Sequence, residues 1–324
     1  MSSNAPAGHG HRGRRAAGGT RAGYDAGMAA SPPAAGTDWR RDRRGRPLYG
    51  CGLVLVAAGL AHLPVWAVLG GAWEGDVTWR KPILFGISTG LTALSLGWAW
   101  SKLPWRWGDG PLAAAVAWAL GVEVFLIDLQ RWRGVASHFN RDTVTDSLLY
   151  DGMGILILFV TVVATDLAIR FLRGPAALDA DMLLAVRWGL VLLVVSCGLG
   201  IWISVLGELR QAAGLAPTAL GRAGVPKFPH GVAIHAIQWL PAVSWAARRA
   251  GIGVAGRLRL VAAAATGTTL LLLYALAQTL AGRGRFDVTP ATAVVLAAAV
   301  VGLAAPVVGI AVTALGFRSR RAAA

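Results

Sequence analysis

Apolar residues in this chain come in long runs, without the one-in-two alternation of strands or the narrow stripe of surface helices. Eight such runs stand out, over residues 50–71, 82–101, 112–131, 148–171, 185–206, 231–247, 258–281 and 290–316. A run of about 20 apolar residues at ~1.5 Å rise matches the roughly 30 Å hydrocarbon core of a bilayer. Lipid offers backbone amides no hydrogen-bond partner, so such segments must be helical. The pattern predicts an all-α, polytopic transmembrane helical bundle of about eight spans. The sixth run is the shortest and contains Pro241, which would remove one helical hydrogen bond and kink it. Without it the count falls to seven and the two termini lie on opposite sides. The chain shows neither an internal repeat nor the matched pair of broken helices that marks inverted-repeat transporters.

Composition agrees, at 55% hydrophobic and 15% charged residues. Residues 1–46, rich in Arg, Gly and Ala with no apolar period, read as a disordered tail. Residues 47–317 form a single transmembrane domain, and 318–324 a short basic tail. A net charge of +15 raises nucleic acid as a partner. The basic residues nevertheless flank the ends of apolar runs, and no basic stripe carries interleaved aromatics, so nucleic acid is set aside. With eight spans and a cytoplasmic N-terminus, 21 Lys and Arg fall on the inner side and 10 on the outer side. That bias predicts a multi-pass cell-membrane protein with both termini cytoplasmic and the lipid bilayer as its partner. Cys51 and Cys197 lie inside apolar runs and read as small buried hydrophobes, with no disulfide or CxxC pattern. Tryptophans such as Trp79, Trp105, Trp107 and Trp132 fall where headgroup anchors are expected.

This orientation puts the chemically varied loops outside. The stretch "QRWRGVASHFNRDTVTD", Gln130 to Asp146, is the densest. Asp146, Ser147, Thr143 or Thr145 can cap the fourth helix, which leaves His138 and Asn140 without a structural duty. Glu123 sits about two turns below the outer boundary among apolar neighbours. An acid there is a site candidate or the partner of a cation such as Lys81. Asp151 belongs to the same class, whereas Asp128 and Arg131, three apart, can pair with each other. In "VPKFPHGVAIHAIQWLP", Pro229 suits a first helical turn, with His230 at the outer lip and His235 about one turn deeper. His235, Gln238 and Trp239 share a face, while the spacing of five between the histidines is poor for joint ligation. The two histidine stretches resemble in part the Ser/His and late-His motifs of the alkaline ceramidase type of membrane zinc hydrolase. They depart from that pattern because Ser137 abuts His138 and the late histidines are five apart.

Three chemistries fit these residues. Zinc held by His138, His230 and His235 would activate water for hydrolysis. Haem held by His62 and His235 would make an electron carrier. General acid–base catalysis by His138, Glu123, Asp151 or His235 needs no metal. Lys81, Arg131, Arg133, Asn140 and Gln238 are the candidate substrate-binding residues. The favoured reading is a membrane-embedded enzyme acting on a lipid-soluble small molecule at an outward-facing polar pocket, and the rival is a transporter or small-ligand sensor.

Overall fold

A computed structural model describes residues 38–322, with side chains as far as position 316. Among the described residues there are nine α-helices and no β-strand. They are α1 (Gly45–Leu69), α2 (Arg80–Trp100), α3 (Asp109–Trp132), α4 (Val144–Arg173), α5 (Ala180–Ala212), α6 (Lys227–Ile234), α7 (Ala236–Arg249), α8 (Val254–Leu280) and α9 (Pro290–Ala322). Seven of them are long and apolar enough to cross a membrane, so the chain is a polytopic all-α bundle. The expected N-terminal tail lies outside the described residues as far as position 37. Its last part belongs to the bundle, because the Arg44 side chain is buried against the carbonyls of Leu103 and Ser101.

The remaining two helices are the sixth run, broken in two. The chain restarts at His235, and Pro241 stays inside α7. The kink expected at Pro241 is therefore displaced to His235. From Lys227 to Arg249 the pair is about 34 Å long at ~1.5 Å per residue. Its start lies beside the C-terminus of α8, where Thr279 Oγ1 donates to the Val225 carbonyl. Its end lies beside the N-termini of α5 and α8, where Arg248 and Arg257 both reach Asp181. The pair thus runs between the same two ends as the long helices, and the chain passes along the bundle eight times, seven of them as single helices.

One end is an arginine end built on two buried carboxylates. Asp109 receives Arg170 at 2.9 Å, and Arg44 and Arg106 lie within 3.9 Å and 3.6 Å, which ties α1, α3 and α4. Asp181 receives Arg257 at 2.9 Å, Arg248 at 3.4 Å and the Ser244 hydroxyl at 2.7 Å, which ties α5, α7 and α8. The sequence reading gave these arginines to topology alone; the fold uses several of them as clamps.

Within the apolar interior, helices approach through glycine. A Cβ on Gly86 of α2 would stand 2.7 Å from Gly59 Cα of α1, and one on Gly302 of α9 would stand 2.8 Å from Gly267 Cα of α8. Small residues at such crossings let backbones touch where lipid supplies no hydrophobic drive between helices. Gly50 of the same α1 faces open space. Gly86→Ala is therefore expected to overpack α1 against α2 and destabilise the bundle by about 1–3 kcal/mol. Gly50→Ala should be neutral or slightly stabilising through helix propensity. Thermal unfolding of the two variants in detergent checks the opposite signs.

Candidate functional site

The loops after α1, α3, α5 and α8 meet at the other, histidine end. Trp79 lies edge-on to Trp132 with centroids 5.0 Å apart, Gln211 donates to the Phe139 carbonyl, and Ala223 donates to the Gly282 carbonyl. Beneath them sits the helix break. An interruption at membrane depth must find protein partners for the backbone groups it frees. His235 has φ −94° and ψ 5°, and its carbonyl accepts the N–H groups of Gln238 and Trp239 to begin α7.

The His235 side chain joins a chain of hydrogen bonds across two helices. Its Nε2 lies 3.2 Å from Ser88 Oγ of α2, and its Nδ1 lies 3.3 Å from Gln238 Oε1. Gln238 Nε2 donates to Thr92 Oγ1 at 3.2 Å, and Thr92 in turn donates to the Ser88 carbonyl at 2.9 Å. With its amide nitrogen committed to Thr92, Gln238 presents oxygen to the imidazole. This network assigns the ring proton to Nδ1 and leaves Nε2 to accept the Ser88 hydroxyl proton. A hydroxyl on a histidine that a third side chain orients is the arrangement that activates a nucleophile.

Other predicted residues surround this array or leave it. His230 lies close to His235, and its Nδ1 is 2.9 Å from Ser196 Oγ of α5. Glu123 is buried at 6% exposure near Cys197, with no basic side chain against it among the described residues. The alternative partner, Lys81, instead donates to the Asp76 carbonyl at 2.6 Å. His138 packs between Phe85 and Tyr150, centroids 5.7 and 5.9 Å away, and bonds Ser137 Oγ at 2.9 Å. It feels the positive charge of both Lys81 and Lys227.

Several expectations are corrected. His138, His230 and His235 are each committed to a separate serine, and among the described residues no three His, Cys, Asp or Glu side chains gather as a metal site. The two histidines named for haem have different neighbours, His62 packing against Trp79 and Trp132 while His235 faces Ser88 and Gln238. Asp151 is not a buried acid. It stands 54% exposed and pairs with Arg141 at 2.8 Å, because its place on α4 faces outward. Asp128 and Arg131 do not pair, as Arg131 stacks on Trp79 instead.

The residues of the stretch from Gln130 to Asp146 also divide. Thr143 caps α4 by accepting the Asp146 N–H and donating to the Asp146 carboxylate, which also holds Gln130 and Arg133. Asn140 spans the loop, donating to the Ala136 carbonyl and accepting the Asp142 N–H. Arg133 and Asn140 are thus loop and cap residues. Phe139 has φ 57°, and its ring fills the space that Gly207 leaves, where a Cβ would come within 2.3 Å. Ser88, Thr92, Ser196 and Lys227 were missed by the sequence reading. The one signal for the first two was their spacing of four on α2, which puts two hydroxyls on one face.

Burial, aided by Lys81 and Lys227, pushes the His138 imidazole down to about 3. The unfolded chain takes up this proton near the ordinary value of about 6.5. Between those values the unfolded state binds more protons, so stability falls as pH falls from about 6.5 toward 3. His138→Phe is expected to flatten that slope in detergent unfolding scans from pH 7 to 4; an unchanged slope would assign it to other groups. Comparison with protein-family models, with curated proteins and with solved structures finds no match for this chain, so its function is read from its own residues.

Proposed function

We propose that the protein is a membrane-embedded enzyme acting on a lipid-soluble ester, with Ser88 as nucleophile and His235 as general base, in the cell membrane with the histidine end outward. The carrying observation is the Ser88–His235–Gln238–Thr92 array at the break between α6 and α7. Its geometry favours the metal-free acid–base reading over zinc hydrolysis or haem ligation.

In the reading's chemistry, Ser88 Oγ forms a bond to the ester carbonyl carbon while His235 Nε2 takes the hydroxyl proton. The ester C–O bond then breaks, and His235 returns that proton to the departing alcohol oxygen. Water repeats the sequence in reverse, releasing the acid and restoring Ser88. Gln238 holds the imidazole in the required tautomer without a charge. Lys81 and Lys227, near the mouth beside His138, would attract an anionic headgroup. His230 lies in the same half of the bundle, bonded to Ser196.

A fluorophosphonate probe in membranes bearing the full chain tests this directly. Covalent labelling is expected for the natural sequence, its loss in Ser88→Ala, and a rate reduced about 100-fold or more in His235→Gln, within the range of general-base contributions. Labelling that persists in Ser88→Ala would overturn the assignment. No labelling, together with gradient-driven solute uptake in proteoliposomes, would transfer these residues to transport, for which a broken helix is also suited.

A further inference from the structure

The upper parts of α1, α2 and α3 hold a second polar cluster that the Ser88 array does not use. Asp128 and Arg131 stand three apart on α3, at the spacing of a paired acid and base, yet no bond joins them. Arg131 lays its guanidinium over Trp79, with Cζ 3.9 Å from the ring centroid, while Asp128 lies beside His62. His62 is itself engaged on both ring nitrogens, Nδ1 lying 2.8 Å from the Ala58 carbonyl and Nε2 accepting the Trp132 indole N–H at 3.3 Å, so it makes no hydrogen bond to Asp128.

Three polar atoms of this cluster are buried without any hydrogen-bond partner: Trp79 Nε1, Asp128 Oδ1 and Arg131 Nε. They make up half of the six such atoms among the described residues, and Trp79 is only 3% exposed. Buried polar groups are almost always satisfied in folded proteins, and leaving a buried ion unpaired is costlier still. Water could satisfy the orphaned atoms, but it would bring neither Asp128 nor Arg131 a hydrogen-bonded partner of opposite charge.

The surroundings define what would neutralise them. Trp79 and Trp132 meet edge to face, and His62, the neighbour of Asp128, lies 5.9 Å and 6.4 Å from their centroids, so the three rings form one aromatic cluster on that side. Trp132 is 58% exposed, which leaves the rim open. Since α3 runs toward the histidine end, Arg131 lies nearer the mouth and Asp128 about 4.5 Å deeper. We infer that this cluster binds a small zwitterion, whose ammonium sits on Asp128 among the tryptophan rings and whose carboxylate meets Arg131 and the Trp79 indole N–H. Aromatic faces favour ammonium groups, and a guanidinium with a neighbouring N–H favours carboxylate. Side chains three apart on a helix stand about 5–6 Å apart at Cβ, within the span of a short amino acid.

Calorimetric titration of the detergent-purified full chain with glycine, β-alanine and γ-aminobutyrate, against methylamine and acetate, tests the site. Saturable binding of at least one amino acid is expected, tenfold or more tighter than either single-charge control. Asp128→Asn should weaken it at least tenfold, and so should Trp79→Phe, which keeps a ring and removes the N–H. Ser88→Ala should leave it unchanged, separating this site from the hydrolytic array. Unaltered helical circular dichroism shows that a variant has kept its fold. No saturable binding, equal binding of methylamine or acetate, or unweakened binding by folded Asp128→Asn and Trp79→Phe would each overturn the inference and assign the orphaned atoms to water.

Discussion

An ionised carboxylate removed from water is stable only where cations and hydrogen-bond donors close around it, and Asp181 meets that condition in a way that organises half of the bundle. Arg257, Arg248 and Ser244 come to it from α8 and α7 while it opens α5. Asp109 does the same for α1, α3 and α4 through Arg44 and Arg170. Between them these two side chains fix the register of six helices at one end. The broken pair α6–α7 can then arrive at a defined depth, because its far terminus is anchored at Arg248.

With one end clamped, the other is free to carry groups that contribute little to stability. The hydroxyl and imidazole groups of Ser88, Ser196, His230 and His235 occupy positions where apolar side chains would pack more simply. Each is paired with another buried polar group, so the interior tolerates them as a network. The glycine crossings serve the same economy by bringing α1 and α2 into backbone contact. The shoulder of α2 that bears Ser88 and Thr92 is thereby held rigid behind the imidazole.

Much of the architecture was legible in the chain because hydrocarbon imposes a strong length and polarity rule. Seven runs became single helices within a few residues of their expected bounds, and the weakest run became the broken one. The location of the break was not legible. Pro241 carries the familiar signal, whereas the break falls at His235, whose bond to Ser88 on α2 is a tertiary contact that no local pattern announces. For the site, His235 and Gln238 were found because i and i+3 neighbours share a helix face. Ser88 lay 147 positions away from its histidine, and one serine in an apolar run gives no sign of its partner. Asp151 misled for the opposite reason. Depth along a helix was readable, but the direction in which the side chain points depends on packing.

The divided sixth pass also differs from the others in what holds it across the bundle. Seven passes have the length and hydropathy to cross a membrane as single helices. Neither α6, eight residues long, nor α7, fourteen residues long with two terminal arginines, reaches that length by itself. What holds this stretch across the bundle comes largely from α8, where Arg257 shares Asp181 with Arg248 at one end and Thr279 donates to the Val225 carbonyl at the other. The segment that carries the imidazole of the proposed site is thus held in place by a helix that follows it in the chain.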